Sequence, residues 1–540
     1  MRGRLLRTGH TRAAALIVLA LLVAACGQRD TTAAGSLINR GLSAEPESLD
    51  NHKARSVESG DVLRDLGEGL VGYSPSGELV GAAASHWEMS EDGLEYRFSL
   101  RPEARWSNGD TVTSDDFVYS FRRLVDPVTA AFYAQFIGDI VNAREIIAGD
   151  MPPAELGVEA SEEFELTIRL RNPVPYLLGL LTHPATFPVH RGSLEEHGAA
   201  HARPGNRLSN GAYTLVAWDV GSLIELERNE HYWNDAATSI DRVRYHLVPE
   251  PMVELNRYRA GELDVTRSVP TEAFAQLREE RPDELRVSPY LGVYYYGFNL
   301  TRPPFRGNRK LRQALSMAID RESITENIVI RGETAAYSWV PPGTAGYTAP
   351  RFTYADMSRD ERHAAARRLY REAGYGEDNP LEVEIRYNTS ETQARIAVAI
   401  KSMWRDVLGV EAKLINEELQ VLLDNIQQKE NTEVFRLSWT GDYNDAHAFL
   451  SVMESGNPSN LPGFENEEFD EYMRRAARQT KPEMRQRLLE EAERELLAEH
   501  PVIPLYFYVN KNLVSPRVSG WSDNVLNYHY TQHLSITGPE

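Results

Sequence analysis

The sequence predicts an α/β fold of mixed sheets divided into two or three lobes. Three observations carry this expectation. At 540 residues the chain exceeds what one hydrophobic core supports, so its apolar residues must be shared among several. Tyr96, Phe98 and Leu100 alternate with Arg97, Ser99 and Arg101, and Phe164, Leu166, Ile168 and Leu170 repeat the pattern, as half-buried strands do. Residues 383–387 and 410–415 read as strands on either side of a helical run, an order that lays a helix against a sheet.

The elements follow in chain order. Residues 36–42 alternate weakly and read as a strand, and residues 61–66 as a short helix. After the two alternating strands, residues 211–218 and 222–228 read as a hairpin turning at Asp219-Val220-Gly221. Residues 287–299 form a Tyr-rich strand, and beyond Arg309 the texture turns helical. Ser358 and Glu361 have capping-box spacing, and the helix they open runs through Leu369 towards Gly374, a C-terminal stop. Ile396, Ile400, Met403, Trp404, Val407 and Leu408 keep helical spacing up to Gly409. A long helix over 482–499 precedes an apolar strand at 502–509, and the tail over 521–534 is again strand-like. There is no internal repeat and no low-complexity linker, so the lobes are expected to interleave through several crossovers.

Composition narrows the function. Hydrophobic residues make up 42% and charged residues 25%, which is ordinary for a globular protein. A formal net charge of −21 argues against nucleic acid or an anionic membrane surface as partner. Arg2, Arg4, Arg7 and Arg12 precede an apolar run over 13–25, which has the length of a signal-peptide core rather than of a membrane span. That run ends in Leu22-Val23-Ala24-Ala25-Cys26-Gly27, which resembles the bacterial lipobox and implies cleavage before Cys26 and lipidation of its thiol. Cys26 is the only cysteine, so no disulfide forms within the chain. The expected product is a soluble protein tethered by lipid in the periplasm or on the outer face of the cell membrane.

The segment from Phe435 to Asp445 carries the chemistry. An apolar strand ends there, and Asp442 sits where the chain turns. A carboxylate in that place can hold an ammonium group lying along the strand, as the amino end of an extended peptide would. No catalytic constellation accompanies it: H-E-x-x-H and G-x-S-x-G do not occur, which argues against a hydrolase. Gly67-Glu68-Gly69-Leu70-Val71-Gly72 fits a dinucleotide motif by letter, but helix-like sequence precedes it and no helix follows. Asp442-Tyr443-Asn444 begins like a calcium loop but has His447 at the glycine position and Met453 at the twelfth. His183, His190, His197 and His201 read as loop or surface histidines, so neither metal nor cofactor is expected.

An ordered set of segments resembles a known family. It comprises Trp87-Glu88-Met89-Ser90-Glu91-Asp92-Gly93, Arg105-Trp106-Ser107-Asn108-Gly109-Asp110, Asn210-Gly211-Ala212-Tyr213, Pro303-Pro304-Phe305, Arg312-Gln313-Ala314-Leu315 and the Trp439–Asp445 segment. Together they resemble the family-5 extracellular solute-binding proteins of ABC importers, and among these most of all the periplasmic oligopeptide binders, with the murein-tripeptide binder a near relative. The resemblance implies a three-lobed clamshell closing about a hinge. Lobe I would combine 26–56, 208–300 and 511–540; lobe II would span 57–207 and lobe III 301–510. It further implies that Asp442 pairs with the ligand's α-ammonium and that the strand through Ser438, Thr440 and Gly441 pairs with the peptide backbone. Glu45, Tyr133 and Trp439 would line the pocket, and Arg436 would meet the ligand's carboxylate. Some relatives carry a disulfide-forming Cys where this chain has Thr440. The implied partners are short peptides and an ABC permease with its ATPase, and a monomer is expected. A murein peptide, a dipeptide, a sugar or a metal chelate is the alternative ligand.

Overall fold

The computed structural model describes residues 36–430 and 432–537; residues 1–25 and Cys26 lie outside the described residues. The chain builds its first sheet from its opening strand and its middle. Leu37–Leu42 pairs in parallel with Arg242–Leu247, followed by the antiparallel strands Leu223–Arg228 and Tyr213–Asp219. Ile38, Tyr213, Leu226 and Val243 fill the core beneath, and Val514 and Leu534 from the C-terminal tail complete it. The turn expected at 219–221 forms, with Gly221 at φ 80° and the Ser222 amide donating to the Asp219 carbonyl.

A second core lies under an antiparallel sheet of Ala84–Met89, Glu95–Leu100, Glu165–Arg169 and Val158–Glu162. Its alternation is as the sequence predicts: Tyr96, Phe98 and Leu100 are buried while Arg97 and Ser99 are exposed. The third core is the largest. It packs helices against a six-stranded mixed sheet in the order Thr334–Ala335, Val502–Leu513, Leu285–Phe298, Val434–Thr440, Glu382–Asn388, Glu411–Glu417. The strand–helix–strand unit holds: Glu382–Asn388 and Glu411–Glu417 pair in parallel, joined by the helix Glu391–Leu408, which ends at Gly409 with φ 75°. Ser358 and Glu361 form the capping box of the helix Arg359–Glu372.

The structure departs from the sequence reading in two ways. Leu63 and Leu66 pack in the first core rather than the second, and Leu291–Phe298 belongs to the third. Core membership therefore changes after the helix Val57–Leu66 and within the strand Leu285–Phe298. The tail over 521–534 is not a strand. Asn524 folds it into a turn by accepting from the amides of Leu526 and Tyr528. Its alternating apolar residues instead anchor a loop to two cores, Leu526 and Tyr530 to the third and Leu534 to the first.

Leu285–Phe298 and Val502–Leu513 cross together between lobes. Their outer ends, Leu285 and Leu513, pack in a small cluster with Phe274 and Leu277, and their inner ends lie in the third core. The ladder between them breaks register from Pro289 to Val293. A slipped pair at the crossing is where a two-stranded hinge bends at least cost. Beside it, Tyr176 of the second lobe stacks on Tyr443 and His447 of the third, with ring centroids 4.8 and 4.4 Å apart.

Candidate ligand-binding cleft

A cleft of about 510 Å³ opens at this crossing. Thr440, Gly441 and Asp442 come from the third lobe, Tyr133, Phe136 and His183 from the second, and Asp61, Arg64 and Arg267 from the first. Asp442 reaches it because Val434–Thr440 climbs out of its core: Val434 to Leu437 are buried, Ser438 and Trp439 half-buried and Thr440 exposed. Gly441 then donates its amide to the Leu291 carbonyl at 2.9 Å, which pins the turn to the hinge strand. A Cβ there would lie 2.7 Å from the Phe449 ring, so only glycine lets the chain pass.

Three acidic or amide side chains follow in this turn, and their environments differ. Asp445 is bound bidentately by Arg485 at 2.8 Å and accepts the His447 amide. Asn444 accepts the Ala345 amide at 2.9 Å. Asp442 has no hydrogen-bond or ion-pair partner among the described residues, although it stands between lobes. Burial alone raises its carboxyl above the ordinary aspartate value, with no cation opposing it. Its surroundings disfavour the charge, and a cation entering the cleft would relieve that.

The strand before it has an unused edge. One side pairs throughout with Gly292–Phe298. The other pairs with Glu382–Asn388 only at Val434 and Phe435. From Arg436 to Thr440 no strand among the described residues covers that side.

Arg436 lies behind the cleft wall rather than on it. It is 9% exposed, donates to Asn388 Oδ1 at 3.0 Å and sits 4.6 Å over the Tyr294 ring. Among the described residues its Nε has no partner, and no carboxylate lies within 4.0 Å. Burial opposes its charge, but Tyr294, Tyr508 and Tyr506 around it favour the guanidinium and hold it above its usual value. Tyr133 is on the cleft, its hydroxyl donating to the Arg55 carbonyl and its ring 4.3 Å from His183. Ser438 is half-buried on the strand.

Two expected pocket residues are placed elsewhere. The Glu45 carboxylate accepts from Trp218 Nε1 at 2.6 Å and the Gly221 amide at 2.8 Å, so it ties down the hairpin of the first lobe. Trp439 packs on the third core and donates its indole N–H to the Ala448 carbonyl at 2.7 Å. Both polar groups are used inside their own lobes, which leaves neither side chain lining the cleft. The four histidines do not converge either. Half-buried His183 accepts the Ala185 amide, and desolvation pushes it down to about 3, so it is neutral. His190 accepts the Ser193 amide, while His201 is buried against Asp50 at 3.2 Å.

Sequence reasoning missed Tyr290, Tyr508 and Tyr528, which wall the cleft, and the cations Arg64, Arg267, Arg331 and Lys511. They come from segments far apart in the chain, and no local motif marks them.

The family model of bacterial extracellular solute-binding proteins, family 5 Middle, matches residues 78–460. The chain belongs to this family. It is 38% identical over 510 residues to the periplasmic oligopeptide-binding protein OppA of Escherichia coli, covering 94% of this chain and 93% of OppA. Among solved structures it is similar to the unliganded open form of MppA, a periplasmic murein tripeptide binding protein, with TM-score 0.88, 36% identity, 93% of this chain and 98% of that one covered. To Haemophilus influenzae OppA in complex with the peptide RPPGFSPFR the TM-score is 0.71 at the same identity, with 93% and 99% covered. The fold is the mixed α/β clamshell of these proteins, which bind substrates for transport and are not enzymes. At equal identity the chain's shape is nearer to the unliganded open form than to the peptide complex, in keeping with the open cleft.

Proposed function

We propose that this protein captures short peptides in extended form and delivers them to an ABC importer. The observation that carries the reading is Asp442, a carboxylate unpartnered among the described residues, at the end of a strand whose edge none of them covers. A peptide's α-ammonium would pair with Asp442 while its backbone adds to the edge from Arg436 to Thr440. Main-chain pairing is common to all peptides, so many sequences would be accepted. Arg436 would take the carboxylate at the other end once the tyrosines over it yield. The six residue steps from Arg436 to Asp442 span at most about 20 Å when extended, which sets the scale of a ligand held at both ends.

Lobes I and II would move against lobe III about the slipped crossing at Pro289–Val293, enclosing the ligand. The closed form would dock on a membrane permease with its ATPase, and ligand would favour that form by its differential affinity. Cys26 would hold the protein to the membrane by lipid, as a monomer; among the described residues no helix is long and apolar enough to cross one. Cys26→Ser is expected to leave membranes and appear in the soluble fraction, and a variant that still sediments with membranes refutes the anchor. A murein peptide with a free amine would fit the same anchor.

Calorimetry with tetra-alanine and its N-acetylated form tests the reading. The free peptide is expected to bind and the acetylated one to lose most of its affinity. Asp442→Ala should cost about 2–5 kcal/mol with the free peptide, as removing half of a buried charge pair does. Equal binding of both peptides would overturn the role of Asp442.

A further inference from the structure

The chain carries a net charge of −21, yet one part of its cleft is basic. Arg64, Arg267, Arg331 and Lys511 line it together, and their acids are shared. Asp61 serves both Arg64, at 3.2 Å, and Arg267, at 3.1 Å. Glu333, fully buried beneath, serves both Lys511, at 3.0 Å, and Arg331, at 3.4 Å. Each pair of cations thus has one carboxylate, and the floor keeps a positive excess. Burial holds the Lys511 ammonium below its usual range in spite of Glu333, as expected for a cation only half compensated. Arg64 is spoken for, lying 3.5 Å over the Tyr528 ring. Arg331 and Arg267 are half-buried, with part of each side chain open to the cleft.

The floor is close to the proposed ammonium anchor. Tyr290, Arg267 and Asp442 line the same cleft, and both charges lie within electrostatic reach of the Tyr290 phenol, which burial and the neighbouring Tyr528 raise. A ligand whose ammonium meets Asp442 would therefore carry its first side chains past Tyr290 towards the basic floor.

We propose that Arg267, Arg331 and Lys511 form a carboxylate subsite that selects peptides with an acidic side chain at the first or second residue. This rests on the peptide reading above. Calorimetry compares Glu-Ala-Ala-Ala with Gln-Ala-Ala-Ala, Ala-Glu-Ala-Ala with Ala-Gln-Ala-Ala, and Ala-Ala-Glu-Ala with Ala-Ala-Gln-Ala, with tetra-alanine as reference. At the first or second position Glu is expected to bind roughly tenfold or more tighter than Gln, the worth of a hydrogen bond to a charged group. At the third position the ratio should be near one. Arg331→Gln and Arg267→Gln, made separately because either could perturb its ion pair, should each pull the Glu-to-Gln ratio towards one. Glu and Gln peptides binding alike at both early positions, with tetra-alanine still bound, overturns the subsite and leaves the peptide reading standing. A preference that survives both variants overturns its assignment to these residues. Failure of tetra-alanine itself to bind removes the peptide reading, and the subsite with it.

Discussion

Asp442 shows how function sits at the cost of local stability. Its neighbours Asn444 and Asp445 each hold the turn together, while Asp442 holds nothing and pays desolvation. Its folded carboxyl lies above the unfolded value, so the unfolded state loses its proton first as pH rises. The group therefore lowers stability through the window between those two values and above it. Asp442→Asn without ligand should melt above the parent protein at pH 7, and the difference should vanish in acid where both side chains are neutral. A ligand ammonium reverses the preference, since it favours the ionised carboxylate. Affinity is then full above the raised value and falls as pH drops through it, and Asp442→Asn should remove that dependence; calorimetry across pH with tetra-alanine measures it. At this scale the sequence was partly legible. A lone acid ending an apolar strand marked Asp442, but nothing local could show that Glu45 is held by Trp218 and Gly221, more than 170 residues away.

At the scale of elements, the free edge of Val434–Thr440 is the feature to test. Amides of this strand that face Gly292–Phe298 are already hydrogen-bonded. Those on the other side between Arg436 and Thr440 should exchange quickly in the empty protein and slow on addition of tetra-alanine. Unchanged exchange there, with ligand bound, would show that the peptide lies elsewhere. Elements with their own local signals were legible. Alternation gave the strand Glu95–Leu100, the capping box gave Arg359–Glu372, and Gly409 stopped Glu391–Leu408. The tail misled because spacing reports which side chains are buried, not in which core. Leu526, Tyr528 and Tyr530 alternate like a strand, yet with Leu534 they bridge two cores through a turn set by Asn524.

At the scale of the whole molecule, the shape points to an open receptor. Small-angle scattering with and without tetra-alanine should show the radius of gyration fall on binding, as lobes swing about the crossing strands. No change at saturation would mean that ligand binds without closure. That one core would not suffice followed from length, but which segments share a core came only from the family resemblance, because long-range pairing leaves no trace in local pattern.

That pairing has a further consequence. Leu37–Leu42 has its parallel partner at Arg242–Leu247, and the same core awaits Val514 and Leu534. A chain that emerges amino end first cannot finish its first lobe until nearly all of it has emerged. Such distant contacts make folding slow. Until then the first core stays incomplete, and a chain whose core is incomplete is one that a narrow translocation channel can still pass.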